Sequence, residues 1–145
     1  MNNLIHLIYA SASQEKFNEK EVIEIVNISY KNNMKVNITG MLLYSEGDFF
    51  QILEGEHTDV LPLFNLIKQD QRHCKIVKII EEPIVSRDFS DWSMGYASAT
   101  REQLTTLAGL NDFFNDGNCL TNLDSGRAKK LLQAFCKGIW RQKLI

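Results

Sequence analysis

Gln51 is an amide set among apolar neighbours, in the run "FFQILEG" at residues 49–55. A strand sends successive side chains to opposite faces, so Phe49, Gln51 and Leu53 share one side while Phe50, Ile52 and Glu54 share the other. Gln51 is therefore expected to face inward. A glutamine amide has donor and acceptor ends, and a buried donor or acceptor left unpaired costs roughly 1–3 kcal/mol. A neighbouring backbone group, solvent at a sheet edge or a bound polar ligand can each supply the partner.

Other residues with usable chemistry lie on separate segments. Tyr9 sits in the first apolar run, "LIHLIYAS", where Ile5, Leu7 and Tyr9 share a face. Trp92 and Met94 share a face if "WSMGYAS" is a strand. Each of these is equally at home in a core. Asn32 and Asn33 close the first helix, and asparagine tolerates the left-handed conformation that helix ends use. His73 follows a helix in "QRHC", where it can meet an anion or simply be solvated.

Several kinds of chemistry have no seat. There is no G-x-S-x-G elbow, no glycine-rich phosphate loop and no H-E-x-x-H, and His6, His57 and His73 lack metal-ligand spacing. Cys74, Cys119 and Cys136 contain no C-x-x-C pair and read as reduced thiols.

The elements that must position these residues form one domain with an extension. The chain has 145 residues, 44% hydrophobic and 23% charged, enough for one core. A net charge of −2 with scattered basic residues gives no general attraction to nucleic acid or to an anionic membrane. The run near the N-terminus lacks a cationic leader and is too short to span a membrane, so the expected location is cytoplasmic.

After the first strand, Asn18 and Glu21 make a capping box for a helix that ends near "KNNMKVN". "ITGMLLYS" and "DFFQILEG", separated by Glu46 and Gly47, predict an antiparallel hairpin. Val60, Phe64 and Ile67 mark a second helix from Thr58, with Pro62 in its first turn. "KIVKIIEEPIV" follows as a strand that Pro83 ends or bulges, and "WSMGYAS" as a last short strand. The order is that of an α+β, ferredoxin-like β-α-β-β-α-β sheet with one extra strand and both helices on one face. Two further helices are expected in "REQLTTLAGL" and "SGRAKKLLQAFCKGIWRQKL", around the polar "NDFFNDGNCLTNLD". Leu131, Leu132, Phe135 and Ile139 form the apolar stripe that would cap the other face or meet a partner.

Four segments in this order resemble the BLUF domain, the blue-light sensor that uses flavin adenine dinucleotide (FAD). They are "LIYAS" with Tyr9, "NNMKVNITGMLLYSEGDFFQILEG" with Asn32, Asn33 and Gln51, "KQDQRH" with Asp70, Arg72 and His73, and "DWSMGY" with Trp92 and Met94. The resemblance runs from about Leu4 to about Ser98 and implies a sensor domain at 1–98 with a helical extension at 99–145. It also implies flavin held between the two helices, in contact with Tyr9, Ile25, Asn32, Asn33, Gln51, Asp70, Arg72, His73 and Met94. Asn33 would hydrogen-bond the isoalloxazine carbonyl edge, with Asn32 beside it. Leu66 stands where the family often has a basic residue.

The tail is similar to that of short BLUF proteins, which carry two helices and no fused enzyme. The expected output is contact with a downstream signalling protein, with homo-oligomer formation expected as well. The implied mechanism is electron donation from Tyr9 to excited flavin, with a proton relayed through Gln51. Its amide, rotated or tautomerised, would then change its bond to flavin O4 and shift absorption to the red. The last strand, through Met94 or Trp92, would carry the change to the tail. A cofactor-free interaction module and a dark flavoenzyme are the rival functions for this fold.

Overall fold

In the computed structural model, residues 3–13, 18–70, 73–107, 109–115, 118–139 and 141–142 are described. The alternating apolar runs pair as one six-stranded sheet. β1 (Leu4–Ser13) lies between β4 (His73–Pro83) and β3 (Asp48–Glu56) and is antiparallel to both. Beyond β3 come β2 (Thr39–Ser45), β5 (Gly95–Ser98) and β6 (Arg141–Gln142). β2 is antiparallel to β3 and parallel to β5. The turn between β2 and β3 uses Glu46 at φ 48° and Gly47 at φ 95°, the conformation that lets a two-residue connection follow strand twist.

The two faces of the sheet bury two cores. On one, Ile5, Leu7, Tyr9, Leu42, Phe49 and Leu53 pack with Val22 and Val26 of α1 (Glu19–Lys35) and Val60 and Phe64 of α2 (His57–Lys68). On the other, Ile8, Met41, Phe50 and Ile52 pack with Leu104, Phe113, Phe114, Leu120, Leu131 and Phe135 of the tail. The expected α+β sheet, its paired helices and its tail cap are all present. Full burial of one such side chain contributes about 1.5–3 kcal/mol, so each face is held by many independent contacts.

Asn18 and Glu21 form the expected reciprocal cap of α1. The other end differs from expectation. Asn37, at φ 55°, takes the left-handed position, and Ile38 N–H closes onto the Asn33 carbonyl. The side chains of Asn32 and Asn33 are thereby left for other uses. Pro62 is inside α2 rather than in its first turn, because that helix begins at His57.

The last strand and the tail are also shorter than periodicity suggests. β5 starts only at Gly95, so Trp92 and Met94 lie in the preceding loop and do not share a strand face. Trp92 packs against the tail-side core and Met94 belongs to the helix-side core. Gly95 permits this crossing: a Cβ there would stand 2.1 Å from Met41 Sδ and 2.4 Å from the Trp92 ring.

In the tail, α3 spans only Arg101–Leu104, since the Thr105 and Thr106 hydroxyls bond back to the carbonyls of Glu102 and Gln103. The polar segment between the two expected helices contributes α4 (Asn111–Asn115) and a 3₁₀ turn at Leu120–Asn122. α5 (Ser125–Cys136) stops where Gly138, at φ 87°, makes a left-handed cap with Ile139 N–H bonded to the Ala134 carbonyl. The helical pattern read onward to Leu144 is broken there, and residues 141–142 pair with β5 instead.

Candidate functional site

Strand register sets Tyr9 opposite Gln51, and Gln51 opposite Leu42. Both polar side chains are buried, at 2% and 5% exposure, on the face covered by α1 and α2. The Tyr9 hydroxyl donates to Gln51 Oε1. Gln51 Nε2 donates to Met94 Sδ at 3.3 Å, so phenol, amide and thioether form one buried chain. The Tyr9 ring leans on Phe64, with centroids 5.4 Å apart.

A cleft opens over this chain. Its inner lobe, about 430 Å³, is lined by Tyr9, Ile25, Ser29, Leu42, Phe49, Gln51, Ile67 and Asp70. The outer lobe, about 600 Å³, shares Ile25, Ser29, Gln51, Ile67 and Asp70, and it adds Asn32 and Asn33. Leu66 and Ile28, 66% and 56% exposed, make the outer rim apolar.

Asn33 is buried at 2% exposure and donates from Nδ2 to the Ser93 carbonyl at 3.0 Å, which ties α1 to the loop carrying Met94. Asn32, one residue earlier, is exposed at the cleft wall. Tyr9, Ile25, Asn32, Asn33, Gln51 and Asp70 therefore converge on one cleft, and Met94 reaches it through Gln51. Arg72 and the side chain of His73 lie outside the described residues. Ser29, Leu42, Phe49 and Ile67 also line the cleft but were not singled out from sequence. Ser29 was findable, since it is one helical turn beyond Ile25 on the same face of α1.

Among the described residues no group of three His, Cys, Asp or Glu could hold a metal, and no helix is long and apolar enough to cross a membrane. The family described as sensors of blue-light using FAD matches residues 4–95. The chain belongs to the BLUF family. It is 37% identical over 109 residues to photoactivated adenylate cyclase subunit alpha of Euglena gracilis, covering 75% of this chain and 11% of that protein.

Among solved BLUF structures, BlsA in its photo-activated state matches with TM-score 0.77 and 31% identity, over 97% of this chain and 99% of that one. BlrB in its dark state matches with TM-score 0.75 and 30% identity, over 96% and 99%. The chain thus spans about a tenth of the curated cyclase it matches, and nearly all of these two structures.

The cleft fits a flavin on its own chemistry. Apolar Ile25, Leu42, Phe49 and Ile67 suit the faces of a planar ring system, while Gln51, Ser29, Asn32, Asn33 and Asp70 offer donors and acceptors to its polar edges.

Proposed function

We propose that this BLUF protein is a blue-light photoreceptor that holds FAD non-covalently in the cleft between α1 and α2. The observation that carries the reading is the buried chain Tyr9–Gln51–Met94 at the floor of that cleft. Tyr9, Ile25, Asn32, Asn33, Gln51 and Asp70 contact the cofactor, Met94 contacts it or acts through Gln51, and Arg72 and His73 extend the polar set. When bound, flavin supplies blue-light absorption and, once excited, an acceptor for one electron.

Tyr9 is the donor. Its hydroxyl already bonds to Gln51 Oε1, so the proton that leaves the phenol has an acceptor in place. The amide is asymmetric, with an acceptor end toward Tyr9 and a donor end toward Met94. Turning it end for end gives up the Nε2–Sδ contact, and moving a proton from nitrogen to oxygen makes the oxygen a donor; either change redirects a donor without altering the cofactor covalently. The protein stores light as a rearranged hydrogen-bond set and consumes no substrate. A signal results because Met94 lies on the loop that enters β5 and then the tail.

Residues 1–98 act as the sensor and 99–145 as the output extension. The family match ending at residue 95 and the packing of the tail on the opposite face support this division. The output is contact with a downstream protein in the cytoplasm, and the photoreceptor acts as a homo-oligomer. The test is the visible spectrum of purified protein, dark and blue-illuminated. Flavin bands that shift red and return in darkness are expected; a protein that neither carries flavin nor takes it up would contradict the reading.

A further inference from the structure

Three residues beyond Gln51, on the opposite face of β3, Glu54 is fully buried. Its carboxylate is met by three donors. Phe89 N–H and Thr39 Oγ1 donate to Oε1 at 3.0 and 2.8 Å, and Asp88 N–H donates to Oε2 at 2.6 Å. Arg87 Nη1 donates to Thr39 Oγ1 at 2.9 Å and to the Glu54 backbone carbonyl at 3.0 Å. With Arg87 donating to the threonine oxygen, the hydroxyl proton is the group that meets the carboxylate.

Asp88 and Phe89 lie midway along the loop, residues 84–94, that ends at Met94 and joins β4 to β5. The far end of the loop is held by Gly40 N–H on the Trp92 carbonyl, at 3.0 Å, and by Asn33 on the Ser93 carbonyl. Phe89 is itself buried in the tail-side core. One strand thus grips the loop twice: Glu54 holds its middle from one face, and Gln51 touches Met94 at its end from the other. The segment from Asp88 to Met94, fixed at both ends, has little freedom to move Met94 unless one fastening gives.

We propose that Glu54 is a positioning residue of the photocycle: its carboxylate fixes the loop so that Met94 Sδ meets Gln51 Nε2 in the dark. The inference rests on the photoreceptor reading above. Glu54 touches neither the cleft nor Gln51, and it acts through the loop. Weakening the clasp leaves the cleft intact but lets the loop sample arrangements in which the Met94–Gln51 contact is absent. After illumination, return to the dark arrangement must then wait for the loop to find that contact again.

The test is the rate of dark recovery of the red-shifted absorption in flavin-loaded protein, for wild type, Glu54→Gln, Thr39→Val, Met94→Ala and both clasp variants combined with Met94→Ala. Glu54→Gln puts an amide donor where an oxygen now accepts from the loop, and it is expected to slow recovery by roughly threefold or more. Thr39→Val, which removes one donor, slows it less. In the Met94→Ala background either change should shrink to within about twofold, because no sulfur remains to be positioned.

Recovery of Glu54→Gln at or above the wild-type rate, or slowing by the same factor with and without Met94, overturns the proposal. If Glu54→Gln does not fold, Thr39→Val decides on the same terms. A wild-type protein without any red shift contradicts the photoreceptor reading itself, which separates that failure from a failure of the clasp.

Discussion

The Tyr9 hydroxyl donates to Gln51 Oε1 across two strands paired so that these residues stand directly opposite one another. The contact is built by backbone register and not by loop closure, so it is present before any cofactor enters. Sheet register is costly to change, because a one-residue slip of either strand would turn its side chain away from the other. The reactive pair is therefore rigid, and the adaptable partner is Met94, which lies on a loop.

Removing the phenol hydroxyl tests the donor role. Tyr9→Phe leaves Gln51 Oε1 without this partner and is expected to lower stability by about 1–3 kcal/mol while retaining flavin. The blue-light shift should be lost in absorption spectra. Its persistence would mean that another residue gives up the electron.

Trp92 and Met94 are separable by side of the sheet. Met94→Ala should alter the dark-recovery rate, since it removes the acceptor of Gln51 Nε2. Trp92→Phe should leave that rate near wild type and instead reduce thermal stability, because Trp92 packs toward the tail. Stopped-illumination kinetics and melting curves on the two variants distinguish these outcomes.

The rim of the cleft bears on which flavin is bound. Leu66 offers no charge to a phosphate, and it is exposed enough that a cation placed there would be screened. Leu66→Arg is expected to favour FAD and FMN over riboflavin by about 0.2–1 kcal/mol, an advantage that fades as salt is added. Titration of flavin-free protein with the three flavins checks this; equal gains for riboflavin would show that the side chain acts by packing alone.

Stability should depend on pH through Glu82. His6 Nε2 bonds to its carboxylate at 2.8 Å, and Lys129 of α5 adds a contact at 3.3 Å. The His6 hydrogen bond, aided by Lys129 and opposed by partial desolvation, holds the Glu82 pKa below its ordinary 4.5. A depressed carboxylate pKa adds stability above the unfolded value, and this is lost as pH falls through the folded one. Glu82→Gln should therefore cost less than about 1 kcal/mol at neutral pH, given the exposure of the group, and nothing once wild-type Glu82 is protonated. Denaturant melts at neutral and acidic pH measure the difference.

Much of the site was legible because it depends on period-two alternation and on short capping signals. Inward Tyr9 and Gln51, the Glu46–Gly47 hairpin and the Asn18–Glu21 box each follow from residues within a few positions of one another. What was not legible depends on contacts across long spans. Met94 and Trp92 seemed to share a strand face because nothing local shows that β5 waits for Gly95, whose missing side chain admits Met41 and Trp92. Alternation placed Glu54 on the face away from Gln51, but its partners are the Thr39 hydroxyl on the next strand and two backbone N–H groups more than thirty residues away. In the tail, apolar spacing continued past Gly138, and the left-handed cap there was the stronger signal.

The central claim is that the Gln51 amide carries the light signal. Its most direct test is the light-minus-dark visible difference spectrum of Gln51→Leu beside wild type, both loaded with flavin to the same extent. Wild type should show a red shift that decays in darkness, and Gln51→Leu should show none although flavin stays bound. A reversible red shift of wild-type size in Gln51→Leu would contradict the claim.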